Sequence, residues 1–325
     1  MAESETSTGM IILIIMMIFL FIWVLAITGL LIAVYYKEIP IVFGPTGPPG
    51  PAGGPTGPTG IAGPTGPRAS SLTGIQPPGQ RVSLMHWNPH WQCTTKTCCS
   101  NVAVPYINNN IMTRNVDFAN IIELDTLNYT PPQGYVTIEG KCGTSSVSDK
   151  TTLIYNATRW QPIGNHRTFC INDTGTIGSS GRPTVIQRFR SLSNPSFNTY
   201  VIGSHYTHFR DNYIRGLNQA LTSMGITASD TIVFMGDTNQ SGSSEQLMID
   251  MLQGTPPIIK ASRVHGTCCY NGPNSSFHLP YDRIITTFGS SISTDLPTFN
   301  DVIPNPIAGC SYAEMHLPVF SIVNY

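Results

Sequence analysis

The chain has 325 residues, a net charge of −1 and only 11% charged side chains, well under the usual quarter. The length allows more than one domain, and the charge balance excludes a broad basic footprint for nucleic acid. Without residues 1–75 the rest still balances, at 15 basic against 15 acidic side chains (17 − 2 and 18 − 3), so contact with a polyanion would be confined to a cleft.

Residues 1–9 form an acidic tail. Met10 to Tyr36 then runs for 27 residues without a charge, which as a helix spans about 40 Å, enough to cross a bilayer with some tilt. Trp23 and the pair Tyr35-Tyr36 suit membrane depth and interface. The acidic leader Met1-Ala-Glu-Ser-Glu and the length of the run favour a retained single-pass anchor over residues 10–36 rather than a cleaved signal peptide. Lys37 alone would favour an inside C-terminus, but Glu38 offsets it and features further along point outward.

Gly44 to Arg68 reads GPT-GPP-GPA, an extra Gly53, then GPT-GPT-GIA-GPT-GPR, eight Gly-X-Y triplets in all. Only glycine fits at the axis of three wound polyproline II chains, so the segment reads as a collagen-like trimeric stalk of about 75 Å. A stiff single-chain linker is the competing reading; anchoring three chains in one membrane raises their local concentration and favours the homotrimer. Residues 69–80 are a second linker, rich in Ser, Pro and Gly.

Residues 81–325 alternate apolar runs with turn clusters and are long enough for a large core. Strands are expected at 82–87, 119–124, 135–139, 151–155, 200–204, 231–235, 283–287 and 317–323. Helices are expected at 211–224, where Ile214, Leu217, Ala220 and Leu221 share a face, and at 245–252. This is a mixed α/β pattern with more strands than helices.

All eight cysteines lie in this domain, at 93, 98, 99, 142, 170, 268, 269 and 310. Behind an anchor they suggest up to four disulfides. The adjacent pairs Cys98-Cys99 and Cys268-Cys269 lack the usual gap between zinc ligands, which argues against a metal reading. Sequons occur at Asn128, Asn156, Asn172, Asn239 and Asn274. Together these place the domain on an extracellular, lumenal or virion-surface side of the membrane.

The chemistry gathers where strands end. Arg81–Asn88 ends in a carboxamide, Asp117–Glu123 in a carboxylate and Tyr200–His205 in an imidazole, and Asp149 just precedes an expected strand. Thr231-Ile-Val-Phe-Met-Gly-Asp-Thr-Asn239 carries a carboxylate and a carboxamide two residues apart, followed by Tyr281-Asp282-Arg283-Ile284 and Met315-His316-Leu317-Pro318-Val319. Any one of these is an ordinary turn or strand feature. Their order is the signal.

That order resembles the endonuclease/exonuclease/phosphatase family, above all its deoxyribonuclease I branch, over residues 81–325. The resemblance implies a two-sheet α/β sandwich and metal-assisted phosphodiester hydrolysis. By the same resemblance, Asn88 and Glu123 would hold Mg²⁺, a hard ion that prefers oxygen ligands. His316, oriented by Asp282, would take a proton from the attacking water, and His205, paired with Asp149, would protonate the leaving oxygen. Asp237 and Asn239 would position the water and the phosphate. His86, His90 and His208 carry no assigned role.

Three departures stand out. The family usually has Asp immediately before the last His, and here that position is Met315. Glu314 is one residue away, but in a strand it would face the other side. Ile122 stands where the family has Gln, and Asp149 where it often has Glu. The expected function is a membrane-tethered, stalked, Mg²⁺-dependent phosphodiesterase, most simply a nuclease, with a lipid or inositol phosphate as other substrates of the family. The competing reading is a catalytically impaired knob displayed on a trimeric stalk as a structural or attachment protein.

Overall fold

The computed structural model describes residues 81–325 apart from 92–96, 125–128, 144–149, 271–276, 304–311 and 313, with only Met16 before them. The expected anchor, stalk and linker otherwise lie outside the described residues, as do Asp149, Cys93, Cys310 and the sequons at Asn128 and Asn274. Among the described residues, no helix is long and apolar enough to cross a membrane.

Two sheets form the body. The first contains β1 (Arg81–Trp87), β2 (Phe118–Ile122), β3 (Tyr135–Lys141), β4 (Lys150–Asn156), β12 (Ser291–Asp295) and β13 (Val319–Asn324), in the order β12-β13-β1-β2-β4-β3. The second contains β5 (Trp160–Ile171), β6 (Ile177–Gly178), β7 (Arg182–Ser191), β8 (Asn198–His205), β9 (Ile232–Asp237), β10 (Lys260–Ala261) and β11 (Asp282–Thr286), in the order β10-β11-β9-β8-β7-β5-β6. Each sheet has one parallel pair, β1 with β2 and β8 with β9. Parallel neighbours need a crossover. Helix α1 (Thr97–Thr113) lies between β1 and β2, and α2 (Arg210–Ser223) between β8 and β9, with α3 (Ser244–Leu252) and α4 (Phe299–Val302) later in the chain.

Alternation along the strands sorts side chains into three apolar layers. Met85, Trp87, Ala119 and Ile121 pack outward with Ala103, Ile107 and Ile111 of α1, which recur every four residues along one helix face. Ile202, Phe234 and Ile285 pack outward with Tyr213, Leu217 and Leu221 of α2 and Leu247, Met248 and Met251 of α3. Between the sheets lie Val82, Leu84, Phe118, Leu153, Val185, Phe189, Val201, Val233, Met235 and Ile284. Burying each such large side chain contributes about 1.5–3 kcal/mol, so all three layers hold the body together. The two sheets meet closely at Gly203, where a Cβ would collide with Asn120 and Leu153.

Every expected strand and both expected helices are present within two residues or so of their limits. Helix α1 and the long antiparallel pair β5–β7 were not expected. α1 carries Pro105 and a run of Asn, poor helix formers, and is held by its buried face rather than by propensity. β5 is mostly exposed along its middle and contains Pro162 and Gly164, so its composition reads as loop. Helix α2 stops where Gly225, at φ +69°, donates to Thr222 O and Ile226 N–H donates to Leu221 O, a Schellman-type end that needs a left-handed residue.

Two links fasten the sheets to each other. A disulfide joins Cys142, just after β3, to Cys170 on β5, with Cα atoms 5.5 Å apart. At the opposite end of β2 from Glu123, buried Asp117 accepts from Ser83 N–H (2.7 Å), Trp160 Nε1–H (2.7 Å) and Arg159 Nη1 (2.9 Å). Burial pushes the Asp117 carboxyl up to about 6 against these donors. Asp117→Ala leaves the Ser83 and Trp160 donors buried without partners, and we expect it to lower stability by about 3 kcal/mol. Urea denaturation would read this as a lower midpoint; an unchanged midpoint would show that the link is dispensable.

Candidate active site

The parity that sends Leu84 and Val82 between the sheets also sends His86 and Asn88 there. The same holds for Asn120 on β2, His205 on β8, Asp237 on β9 and Asp282 on β11. β8 and β9 end together, with His205 opposite Asp237. β11 runs antiparallel to β9 and begins with Asp282 opposite Asp237. His316 sits just before β13 and its peptide N–H donates to Asn88 O (3.0 Å). All these groups therefore reach one end of the interlayer, where a cleft of about 540 Å³ opens.

Glu123 arrives differently. Alternation with Ala119 and Ile121 would point it at α1, but β2 ends at Ile122 and Glu123 takes a left-handed backbone, φ +57°. Its carboxylate then turns to the cleft, accepting from Trp91 N–H (2.7 Å) and, more distantly, from Asn88 Nδ2 (3.4 Å). Asn239 is also left-handed, φ +50°. Its peptide N–H donates to Asp237 Oδ1 (2.9 Å) and its Nδ2 to Tyr206 O (2.8 Å), so the atom that a glycan would modify is already engaged. The neighbouring Arg283 makes no pair with Asp282. It lies on the other face of β11, where it donates to Gln240 O and Gly242 O and pins the loop after β9.

The polar cluster has two halves. In the first, Asn88 Nδ2 donates to Asp237 Oδ2 at 3.0 Å and lies near Glu123, so two carboxylates and a carboxamide share one spot. In the second, His316 Nδ1–H donates to Asp282 Oδ2 at 2.6 Å, which leaves Nε2 facing the cleft. Burial alone would lower the His316 imidazole, but Asp282, Asp237 and Glu123 outweigh it and raise it to about 9. Burial would raise the Asp282 carboxyl, yet His316 and His86 hold it well below the usual carboxylate range. His205 Nε2 lies 3.5 Å from Glu123 Oε1 and 3.8 Å from Asp237 Oδ2, within the first half, and the halves approach where His316 Nδ1 lies 3.7 Å from Asp237 Oδ2.

Asn88, Glu123, His205, Asp237, Asn239, Asp282 and His316 are thus brought together; Asp149, the expected partner of His205, lies outside the described residues. Four further residues belong to the site. His86, fully buried, places Nε2 3.0 Å from Asp282 Oδ1, while its Nδ1 lies 3.0 Å from Asn120 O, so Asp282 is sandwiched between two imidazoles. Its parity with Asn88 on β1 was the available signal. Arg182 opens β7, with Nη1 2.6 Å from the His205 ring nitrogens and 3.5 Å from Glu123 Oε1. His90 reaches Glu314 Oε2 at 3.2 Å, and burial lowers its imidazole below the ordinary value.

Glu314 corrects an expectation. A strand register would turn it away from the cleft, but β13 begins only at Val319, and Glu314 has φ +64° and lines the cleft. Met315 instead is fully buried in the outer apolar layer with Met85, Trp87 and Tyr312.

No family model and no curated protein matches the sequence. Solved structures do match. A Bacteroides thetaiotaomicron protein of the endonuclease/exonuclease/phosphatase family superposes with a TM-score of 0.52 and 14% identity, over 76% of this chain and 96% of that one. TDP2 from D. rerio, complexed with a single-strand DNA product, gives 0.52 and 14%, over 75% and 99%. A mannosyl-6-phosphatase from Bacteroides thetaiotaomicron gives 0.53 and 13%, over 74% and 99%. The chain therefore has the two-sheet α/β sandwich fold of endonuclease/exonuclease/phosphatase proteins.

Proposed function

We propose that the chain is a metal-dependent phosphodiesterase, most simply a nuclease, carried on a membrane anchor and a collagen-like trimeric stalk. The observation that carries this reading is the His316–Asp282 pair facing the carboxylates of Glu123 and Asp237, which Asn88 Nδ2 links, across one cleft. Two carboxylates that converge on Asn88 Nδ2 are the oxygen donors a hard divalent cation prefers; Asn88 Oδ1 accepts from His90 N–H at 2.9 Å, so the carboxamide would join them with its amide turned over. Glu123, with Asp237 beside it and Asn88 once its amide presents Oδ1, would hold Mg²⁺, which would supply neutralisation of charge on the phosphoryl oxygens.

The side chains divide the remaining work. His316 Nε2 accepts the proton of the attacking water, with Asp282 fixing the ring through Nδ1. Asp282 is itself braced by His86. His205, on the other side of Asp237, delivers a proton to the leaving oxygen. Arg182 puts a half-buried cation beside that point and favours the anionic phosphate. Asp237 and Asn239 align water and phosphate. The neutral surface of the domain leaves affinity for a polyanion to this cleft.

The sequence of residues 10–36 and 44–68 supports the tether and the trimer, and the cysteines and sequons support an extracellular, lumenal or virion-surface domain. The test uses the full-length chain with plasmid DNA, an oligonucleotide, bis(p-nitrophenyl) phosphate and a sugar phosphate. Cleavage of the diesters should require Mg²⁺, vanish with EDTA and return when Mg²⁺ is restored, and cross-linking in membranes should give trimers. Cleavage that persists in EDTA would refute the metal role. Failure on every diester would return the domain to a non-catalytic knob, and monomers alone would remove the stalk.

A further inference from the structure

Cys268 and Cys269 take no part in the chemistry above, yet both line the same cleft, Cys268 fully buried and Cys269 half-buried. Cys269 Sγ lies 3.7 Å from His316 Nε2, and the two sulfurs and an imidazole nitrogen of His316 all fall within 4.8 Å of one another. The sulfurs are bonded to each other in this structure.

We propose that the reduced Cys268–Cys269 pair, together with His316 Nε2, is a binding site for a soft divalent cation of the zinc class, and that occupancy switches the cleft off. The inference rests on the phosphodiesterase reading only for its consequence, not for the binding itself. Two thiolates and an imidazole are the donors that zinc selects, and a hard cation such as Mg²⁺ does not. The third ligand is prepared in advance: His316 Nδ1–H is bound to Asp282, which fixes the ring and leaves Nε2 as the coordinating atom, the carboxylate–histidine arrangement typical of zinc centres.

The sulfur side is prepared as well. Cys268 exchanges both backbone hydrogen bonds with Leu279 (2.9 and 3.1 Å), and Tyr270 N–H donates to Met315 O (2.8 Å). The backbone of the pair is therefore tied on one side to the strand segment before β11 and on the other to the residue preceding His316. The two cysteines remain adjacent, an unusual ligand spacing; what the sequence did not show is the third donor, His316, 47 residues from Cys269.

The cleft thus holds two sites of opposite hardness, closest where Asp237 Oδ2 lies 3.7 Å from His316 Nδ1. A cation on Nε2 occupies the lone pair that must accept the proton of water, so hydrolysis stops even with Mg²⁺ present. The site exists only after the sulfur–sulfur bond is reduced. A dithiol would do this by taking up that bond itself, transferring two electrons and two protons to give two thiols, and metal binding then releases the two thiol protons.

The test is a Co²⁺ titration of the full-length chain, because cobalt reports thiolate ligation by a sulfur-to-metal charge-transfer band. The chain is first reduced with a phosphine, which becomes the phosphine oxide as water supplies its oxygen and the two thiol protons. The band should appear in the reduced chain, be displaced by Zn²⁺ but not by Mg²⁺, and be absent before reduction. The double variant Cys268→Ser/Cys269→Ser should lose the part of the band that belongs to this site. His316→Ala should weaken that part by at least the ~10–100-fold that loss of even an outer-shell partner costs.

A band equal in the reduced wild type and the double variant, at matched far-ultraviolet circular dichroism, would overturn the site. So would a band unaffected by Zn²⁺. In the hydrolysis arm, Zn²⁺ should abolish Mg²⁺-supported cleavage only in the reduced wild type, and the double variant should resist it. Should the chain cleave no phosphodiester at all, the cobalt band still decides the site, so the two readings fail separately.

Discussion

His316→Ala is expected to lower Mg²⁺-supported cleavage of a phosphodiester by about 10³–10⁴-fold, near the upper end of what a single acid–base group contributes. The reason is local. The Nε2 lone pair faces the cleft, backed by a carboxylate on the far ring nitrogen at 2.6 Å. The fall should lie in kcat, with KM little changed, because the lost interaction belongs to the transition state. Structural damage should be small. The hydrogen bonds that hold this segment, His316 N–H to Asn88 O and Trp87 Nε1–H to His316 O, use the backbone of residue 316 and survive in alanine.

The pH dependence supplies a second reading of the same variant. Three carboxylates hold the His316 proton up to about 9 in the cation-free cleft. A base must be neutral to act, so cleavage should rise with pH toward that value in the wild type. Raising Mg²⁺ should move the limb to lower pH, because positive charge beside Glu123 and Asp237 opposes the proton. His316→Ala should abolish the limb. A loss smaller than about tenfold, with the limb intact, would mean that another group is the base.

Much of this arrangement was legible in the chain. The strand ends at Asn88, His205, Asp237 and Asp282 were visible because an apolar run of period two stops at a polar residue, and that signal survives folding unchanged. Strand parity then decides that all four face the same interlayer. What the pattern hides is any residue that leaves its strand. Glu123 and Glu314 reach the cleft through left-handed backbones at φ +57° and +64°, a conformation few non-glycine residues adopt and none advertises.

Other gaps have different causes. Arg182 was hidden because β7 itself was not expected, its alternation being broken by Arg and Gln on a partly exposed sheet. His86 had the right parity, but a buried strand histidine is most often only a satisfied core residue, and nothing local shows that Asp282 lies behind it. α1 was hidden by its own composition. Pro105 falls on its exposed side, where a missing N–H is tolerated, while the buried face at Ala103, Ile107 and Ile111 supplies the stability.

Met315→Asp separates the sequence view from the structural one. By the family's usual Asp before the last His, the substitution restores a missing carboxylate and should raise activity. By position, residue 315 has no access to the cleft: its side chain is fully buried beside Met85, Trp87 and Tyr312, on the face of β1 opposite His86 and Asn88. A carboxylate there would lose the methionine's apolar contacts, about 2–5 kcal/mol for a truncated core side chain, and would be desolvated among apolar neighbours. We expect Met315→Asp to destabilise the domain by about 4 kcal/mol or more and to give no gain in cleavage per folded molecule. The carboxylate two residues before His316 that does reach the cleft is Glu314, whose Oε2 meets His90 at 3.2 Å while the side chain stays 72% exposed. Glu314→Ala should therefore change cleavage only modestly and leave the denaturation midpoint almost where it was. Should Met315→Asp instead keep the wild-type midpoint and cleave faster, the 314–316 segment would have to turn by one residue, and the assignment of Glu314 to the cleft and Met315 to the core would both fall.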